Sequence, residues 1–130
     1  MAVPACRQAE QRKLFLEQFR LCQPVLSALG DPNRQLIIRT LVEHCDKGGL
    51  RVGDIQRDSH ISRTAVSHHL KVLKDTGIIS VRSEGTRNYY YINAESTGLR
   101  HMASFWQNAV AVMDLCPFAQ KCGRNQNNDL

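Results

Sequence analysis

The segment from Ser62 to Lys74 is rich in basic side chains and contains no carboxylate. Apolar residues recur within it at three- and four-residue steps, which predicts one buried face of a helix. The outward face then carries two cations, two hydroxyls and an imidazole. These residues are Arg63, Thr64, Ser67, His68 and Lys71. Such side chains suit the phosphates and base edges of a DNA major groove, although an ordinary solvated helix face is the alternative.

The two histidines of this segment are expected to differ. His69 lies at the edge of the apolar stripe, so its spacing favours packing or hydrogen bonding rather than a DNA contact. His68 points with Thr64 and Lys71 and is the better contact candidate. Adjacent residues on a helix diverge, so the pair does not have the spacing of metal ligands.

A turn around Gly85 presents further cations, Arg82 and Arg87. An arginine on an extended two-stranded wing can reach the adjacent minor groove or its flanking phosphates. The alternative for Arg87 is a solvated turn charge. Alternation along the second strand predicts Tyr90 and Ile92 in the core, with the neighbouring tyrosines on the opposite face.

Four helical patterns, a β-hairpin and a last helix position these residues. The first helix spans about residues 8–29, and Pro24 is expected to break or kink it. Asp31 and Pro32 form an N-cap and first-turn pair that opens the second helix, which ends at Gly48 and Gly49. A short helix over about residues 52–58 precedes the basic helix, which is capped by Ser62 and stopped by Gly77.

The apolar stripes of these helices name the expected core. The first carries Phe15, Phe19, Cys22, Leu26 and Leu29, and the second Ile37, Ile38, Leu41, Val42 and Cys45. The last carries Leu99, Met102, Trp106, Ala109, Met113 and Cys116. Residues 78–82 and 88–92 are rich in β-branched and aromatic residues and predict the hairpin strands. Two short helices closing on a capped, basic third helix, followed by a hairpin, indicate an α+β winged helix-turn-helix, mainly α with a β-hairpin wing.

Composition bounds the class of protein. The chain has 130 residues, 42% hydrophobic and 22% charged, which is typical of one compact domain. Its formal net charge of +5 is compatible with a polyanionic partner. No apolar run is long enough to cross a bilayer and no secretory signal is visible, so we expect no membrane partner and a cytoplasmic location. Five cysteines, an odd number, predict reduced thiols rather than a disulfide framework.

Three ordered motifs resemble the ArsR/SmtB-type winged-helix transcriptional regulators. The stretch 29–34 with 37–41 is similar to the second-helix signature of that family, 67–73 with 76–79 to its recognition helix, and 84–87 with 89–92 to its wing. The match covers about residues 24–113. This resemblance implies a homodimeric transcriptional repressor that dimerises through its first and last helices. Such a dimer binds a twofold operator in double-stranded DNA and releases it when an effector arrives.

The resemblance does not extend to the metal sites of the family. Metalloid sensors carry two cysteines on the third helix at the positions that Arg51 and Gly53 hold here. The zinc-type motif on the last helix needs an aspartate where Leu99 precedes His101. No cofactor is therefore required. Two kinds of effector are considered: a soft metal or metalloid, and an oxidant. Either would act on a candidate thiol or metal switch formed by Cys22, Cys116 and Cys122. The alternative for these thiols is burial as small hydrophobes.

The sequence therefore predicts a sequence-specific DNA-binding repressor and not an enzyme, because no nucleophile–base set, phosphate-cradling loop or paired-carboxylate cleft is visible. The alternative is a winged-helix protein-interaction module without DNA binding. The expected organisation is an N-terminal helical extension over 1–23, a winged helix-turn-helix core over 24–93, a dimerisation helix over 94–116 and a polar tail over 117–130.

Overall fold

The computed structural model describes residues 5–115, with side chains described from residue 8 onward. The elements are α1 (Ala5–Leu29), α2 (Pro32–Glu43), α3 (Val52–Ser59), α4 (Arg63–Asp75), β1 (Ile79–Glu84), β2 (Arg87–Ile92) and α5 (Thr97–Leu115). A short 3-10 turn, Cys45–Lys47, follows α2. The mainly helical architecture with one antiparallel hairpin confirms the predicted fold class. No helix in the described range is long and apolar enough to cross a membrane.

The described chain forms two compact units. One contains the residues up to Cys22 together with those from His101 onward, and the other is Gln23–Arg100. The second unit contains the end of α1, helices α2, α3 and α4, the hairpin and the first turn of α5, and its core is apolar. Its most buried side chains are Ile37, Ile55, Val66, Leu70, Leu73, Ile78 and Ile79.

Both ends of α4 are fixed by local hydrogen bonds. Ser62 accepts a hydrogen bond from the backbone N–H of Ala65 (3.2 Å), as its sequence position predicted. At the other end, Gly77 adopts φ +78°, a left-handed conformation that favours glycine. The backbone N–H groups of Gly77 and Ile78 then bond to the carbonyls of Lys74 (2.9 Å) and Leu73 (3.0 Å). Helix α4 therefore begins and ends as its sequence requires.

The hairpin is joined to the helices at two places. Tyr90 and Leu50 exchange backbone hydrogen bonds, both 2.8 Å long, which attach β2 to the segment before α3. Asn93, directly after β2, donates its side-chain amide to the carbonyl of Gly77 (3.2 Å) and its backbone N–H to that of Ile78 (3.0 Å). The position of the hairpin beside α4 is therefore set by hydrogen bonds as well as by packing.

Aromatic packing organises the first unit. The ring of Phe105 stacks on Phe15, with centroids 5.2 Å apart, and meets Phe19 edge-on at 5.4 Å. Asn108 on α5 donates a 2.6 Å hydrogen bond to Gln18 on α1. Phe105, which the predicted stripe of the last helix omitted, is the aromatic side chain that α5 buries. The predicted stripe members Trp106 and Met113 are instead exposed.

Three other sequence predictions were wrong in detail. Helix α1 continues through Pro24, so the predicted break is absent, whereas the alternative of a kink stays a prediction. The predicted core positions Val42 and Cys45 are exposed. For Cys45 the reason is that α2 ends at Glu43 and the 3-10 turn departs from the helical period. Tyr90 and Ile92 are half-buried rather than core.

Candidate nucleic-acid interface

One face of α4 is exposed and basic. Its three most buried apolar residues, Val66, Leu70 and Leu73, are at most 1% exposed and hold the opposite face in the core. All five side chains predicted to face outward are exposed. They are Arg63, Thr64, Ser67, His68 and Lys71. The first acidic residue of α4 is Asp75, at the C-terminal end of the helix. Cations and hydroxyls on one exposed helix face form a surface suited to a phosphodiester backbone and to base edges.

The neighbouring His69 is buried, which confirms the packing role predicted for it. Its Nδ1 lies 3.4 Å from Nη1 of Arg34 on α2. The Arg34 guanidinium also donates to the backbone carbonyls of Ala28 (2.7 Å) and Ser27 (3.2 Å) at the end of α1. Three helices of the second unit therefore meet at Arg34, directly beneath the exposed face of α4.

Asp31 fixes the start of α2 from the same region. Its carboxylate accepts hydrogen bonds from the backbone N–H groups of Asn33 (2.8 Å) and Arg34 (3.1 Å). The bond from Arg34 is the main reason that the pKa of Asp31 lies below its ordinary value. The carboxylate is therefore charged at neutral pH, where it caps the helix.

The two wing arginines have different environments. Arg82 contacts other residues of the protein. Its Nη1 donates a hydrogen bond to the Gly48 carbonyl (3.1 Å), and its Nε lies 3.1 Å from the Glu84 carboxylate. Its guanidinium lies 5.1 Å from the centre of the Tyr89 ring. Arg87 pairs in register with Glu84 at the tip of the hairpin and is exposed. The side chain of Arg87 makes no hydrogen bond to other residues in the described range.

A cleft between the hairpin tip and the N-terminal ends of α3 and α4 was not foreseen from the sequence. Its volume is about 370 Å³, and four arginines and one carboxylate line it: Arg51, Arg57, Arg63, Arg87 and Asp54. Arg51 and Arg57 were missed because they lie about thirty residues from the wing in sequence. In the sequence, the only sign of these two residues was that both are basic and lie shortly before Ser62.

The carboxylate of Asp54 accepts hydrogen bonds from residues of α3 and its N-cap. Its Oδ2 accepts a 3.1 Å hydrogen bond from the backbone N–H of Arg51, and its Oδ1 accepts one from Arg57. The bond from Arg51 contributes most to a pKa of Asp54 below its ordinary value. One carboxylate therefore offsets one of the four arginine charges.

The structure covers one of the three candidate switch thiols. Cys22 is buried, and burial raises the pKa of its thiol above the ordinary value. Cys116 and Cys122 lie outside the described residues. Among residues 8–115, no group of three or more histidine, cysteine or carboxylate side chains is placed to hold a metal ion.

An exposed basic helix with a capped start, next to a two-stranded wing, defines a winged helix-turn-helix DNA-binding protein. The profile of the family described as "Bacterial regulatory protein, arsR family" matches residues 31–81. The chain is 40% identical to the HTH-type transcriptional regulator Rv2034 of Mycobacterium tuberculosis over 64% of its own length and 76% of that protein. The chain belongs to the ArsR family of bacterial regulatory proteins, and it is a DNA-binding transcriptional regulator.

Two further relatives bear on how such proteins work. The transcriptional repressor SdpR of Bacillus subtilis is 39% identical over 53% of this chain and 72% of its own. The homodimeric winged helix-turn-helix DNA-binding domain Mb0332 of Mycobacterium bovis aligns in structure with a TM-score of 0.50 and 28% identity. That alignment covers 89% of this chain and 94% of the other.

Proposed function

We propose that the protein is a homodimeric repressor that binds an inverted-repeat operator with the exposed face of α4 and the wing. The observation that carries this proposal is the acid-free, exposed set of five polar side chains on α4. The similarity to a transcriptional repressor supports the direction of regulation. A protein that regulates transcription must reach the chromosome, so the proposal places it in the cytoplasm.

The proposed division of labour follows the chemistry of the side chains. Phosphate contacts, which give affinity, come from Lys71, Arg87 and the N-terminal end of α4. Base-edge contacts, which give specificity, come from Arg63, Thr64, Ser67 and His68. Arg82 bonds to the Gly48 carbonyl and pairs with Glu84, so in this proposal it holds the wing in place and its remaining donors contact the DNA backbone.

Dimerisation is proposed through the first unit, whose surface is unusually apolar. Its large exposed apolar side chains are Leu14, Leu16, Phe19, Leu21, Trp106, Val110 and Met113. A surface of this kind on a small chain is typical of a protein–protein interface. The homodimeric state of the Mycobacterium bovis domain supports a dimer. A dyad would then place two α4 helices in major grooves about one helical turn apart.

The proposed interface is tested by single alanine variants of α4. Arg63→Ala and His68→Ala should each weaken binding to the operator about tenfold or more, because each removes a polar contact from the groove. Gel-shift titrations at several salt concentrations measure the effect, and thermal unfolding checks that both variants are folded. Arg39→Ala is the control, since Arg39 is an exposed arginine of α2 outside this face.

Two results would contradict the proposal. Unchanged affinity and salt dependence in both α4 variants would show that the wrong face had been assigned. Wild-type binding that does not weaken with salt would favour the protein-interaction module, because counterion release accompanies every phosphate contact.

For the effector, we propose a thiol-directed signal, a soft metal ion, a metalloid or an oxidant, acting through Cys22, Cys116 and Cys122. The supporting observations are the position of Cys22 on α1 and the affinity of thiolates for soft ions. Cys116→Ser should retain operator binding but lose release by at least one of arsenite, cadmium and peroxide. Release by all three that matches the wild type, measured by fluorescence anisotropy, would remove Cys116 from the mechanism.

A further inference from the structure

The cleft lined by Arg51, Arg57, Arg63 and Arg87 has the composition of an anion site. Four arginines and one carboxylate line it, so the residues around this volume of about 370 Å³ carry a net charge of +3. Asp54 is already hydrogen-bonded by Arg51 and Arg57, so its charge is offset within the protein. Like charges gathered in this way repel one another unless an anion lies between them.

The donors that remain available come from three separate elements. Arg51 stands at the start of α3, Arg63 at the start of α4, and Arg87 at the start of β2. The guanidinium groups of Arg63 and Arg87 have no hydrogen-bond partner among the residues that the structure describes. Guanidinium is the side chain that matches the geometry of a phosphate best, because it can present two parallel N–H donors.

We propose that this cleft binds one phosphodiester group of the DNA backbone, between the groove that α4 enters and the groove that the wing approaches. The inference rests on the proposed function and adds Arg51 to its DNA contacts. Arg63 lines both the cleft and the exposed face of α4, so the two surfaces are continuous. A backbone phosphate held there fixes the register of α4 on the duplex and carries no sequence information.

The role of Arg57 differs from that of Arg51. Its guanidinium is bonded to Asp54 and its side chain is 77% exposed, so it mainly neutralises the carboxylate that would otherwise repel a phosphate. Arg51 keeps its side chain available because only its backbone N–H is bonded to Asp54. Arg51 is therefore the residue whose removal tests the site with the least effect on α3.

The experiment measures binding of a random-sequence 20-base-pair duplex by fluorescence anisotropy between about 50 and 200 mM salt. Each phosphate contact contributes about 0.9 to the slope of log affinity against log salt. Arg51→Ala should lower the slope by about 0.9 per protomer and the affinity at 0.1 M salt by about tenfold per cleft. Arg51→Lys keeps the charge and should restore most of the slope.

The control variant is Arg39→Ala, which removes the same charge from an exposed arginine outside the cleft and should leave the slope unchanged. Equal slopes for Arg51→Ala and Arg39→Ala would overturn the site while leaving the proposed function intact. A wild type without salt-dependent DNA binding would overturn both. Thermal unfolding of each variant shows whether α3 is intact, and the Arg51→Lys result separates lost charge from lost structure.

A second arm distinguishes a DNA phosphate from a free anion. Inorganic phosphate is titrated into the wild type and Arg51→Ala at constant ionic strength, with and without the duplex. Weak phosphate binding that competes with DNA only in the wild type supports the proposal. Tight phosphate binding that depends on Arg51 and leaves DNA affinity unchanged would overturn it in favour of a free-anion site.

Discussion

Arg34 on α2 connects the C-terminal end of α1 to α4, the helix that is proposed to read DNA. Its side chain is 15% exposed and donates to two carbonyls at the end of α1, while its Nη1 faces His69 on α4. The Arg34 contacts therefore link the end of α1 to a buried residue of α4.

Replacing Arg34 by methionine should cost about 2–3 kcal/mol of unfolding free energy, because the buried Ala28 loses the donor to its carbonyl and the Ser27 carbonyl and the His69 ring lose their contacts with the guanidinium. Urea denaturation at fixed protein concentration measures the change. The exposed Arg39, paired with Glu43 on the surface of α2, provides the comparison, and its alanine variant should lose about 0.5 kcal/mol or less. Similar losses for the two variants would show that Arg34 does not have this connecting role.

At the scale of the elements, the helix ends with a capping residue were predicted most accurately, because a residue and its immediate neighbours determine where such a helix begins or ends. Asp31 and Pro32 begin α2, Ser62 caps α4, and Gly77 ends it in a left-handed conformation. Each of these features depends on one residue type and its immediate neighbours. The outward face of α4 was also predictable, since three apolar residues at helical spacing are enough to orient the helix.

The features that the sequence did not reveal depend on contacts between distant segments. Periodicity placed Cys45 on the buried face of α2, but the helix ends at Glu43 and the turn that follows exposes the thiol. Arg82 stays a predicted DNA contact, but nothing in the sequence indicated that its guanidinium also bonds to the Gly48 carbonyl, which is 34 residues away. The arginine cleft joins the start of α3 to the hairpin tip, and neither segment predicts it alone.

At the scale of the whole molecule, the two compact units divide the work. The second unit carries α4, the wing and the arginine cleft, and its large exposed apolar side chains are few. The first unit carries most of the exposed apolar residues, including Trp106 and Val110 on α5. A second copy of the chain would cover these residues and also place two DNA-binding units on one operator. Dimerisation and operator recognition are therefore expected to be linked.

The whole-molecule prediction concerns Val110, which is 59% exposed in the single chain. In a symmetric dimer, Val110→Asp would place a charge in the interface of each copy, and burying an unpaired carboxylate is costly. The dimer dissociation constant should rise about a hundredfold or more, and operator affinity should fall with it because the two α4 helices are no longer joined. Sedimentation velocity measures the first effect and anisotropy the second.

Ser104→Asp is the matched control, because it places the same charge at an exposed polar position of the same helix, on the side away from Trp106 and Val110. This variant should dimerise and bind DNA like the wild type. A Val110→Asp protein that dimerises as well as the Ser104→Asp protein would show that the exposed side chains of α5 do not form the interface. A dimer that dissociates without losing operator affinity would instead separate assembly from DNA recognition, and the twofold operator would then have no structural basis.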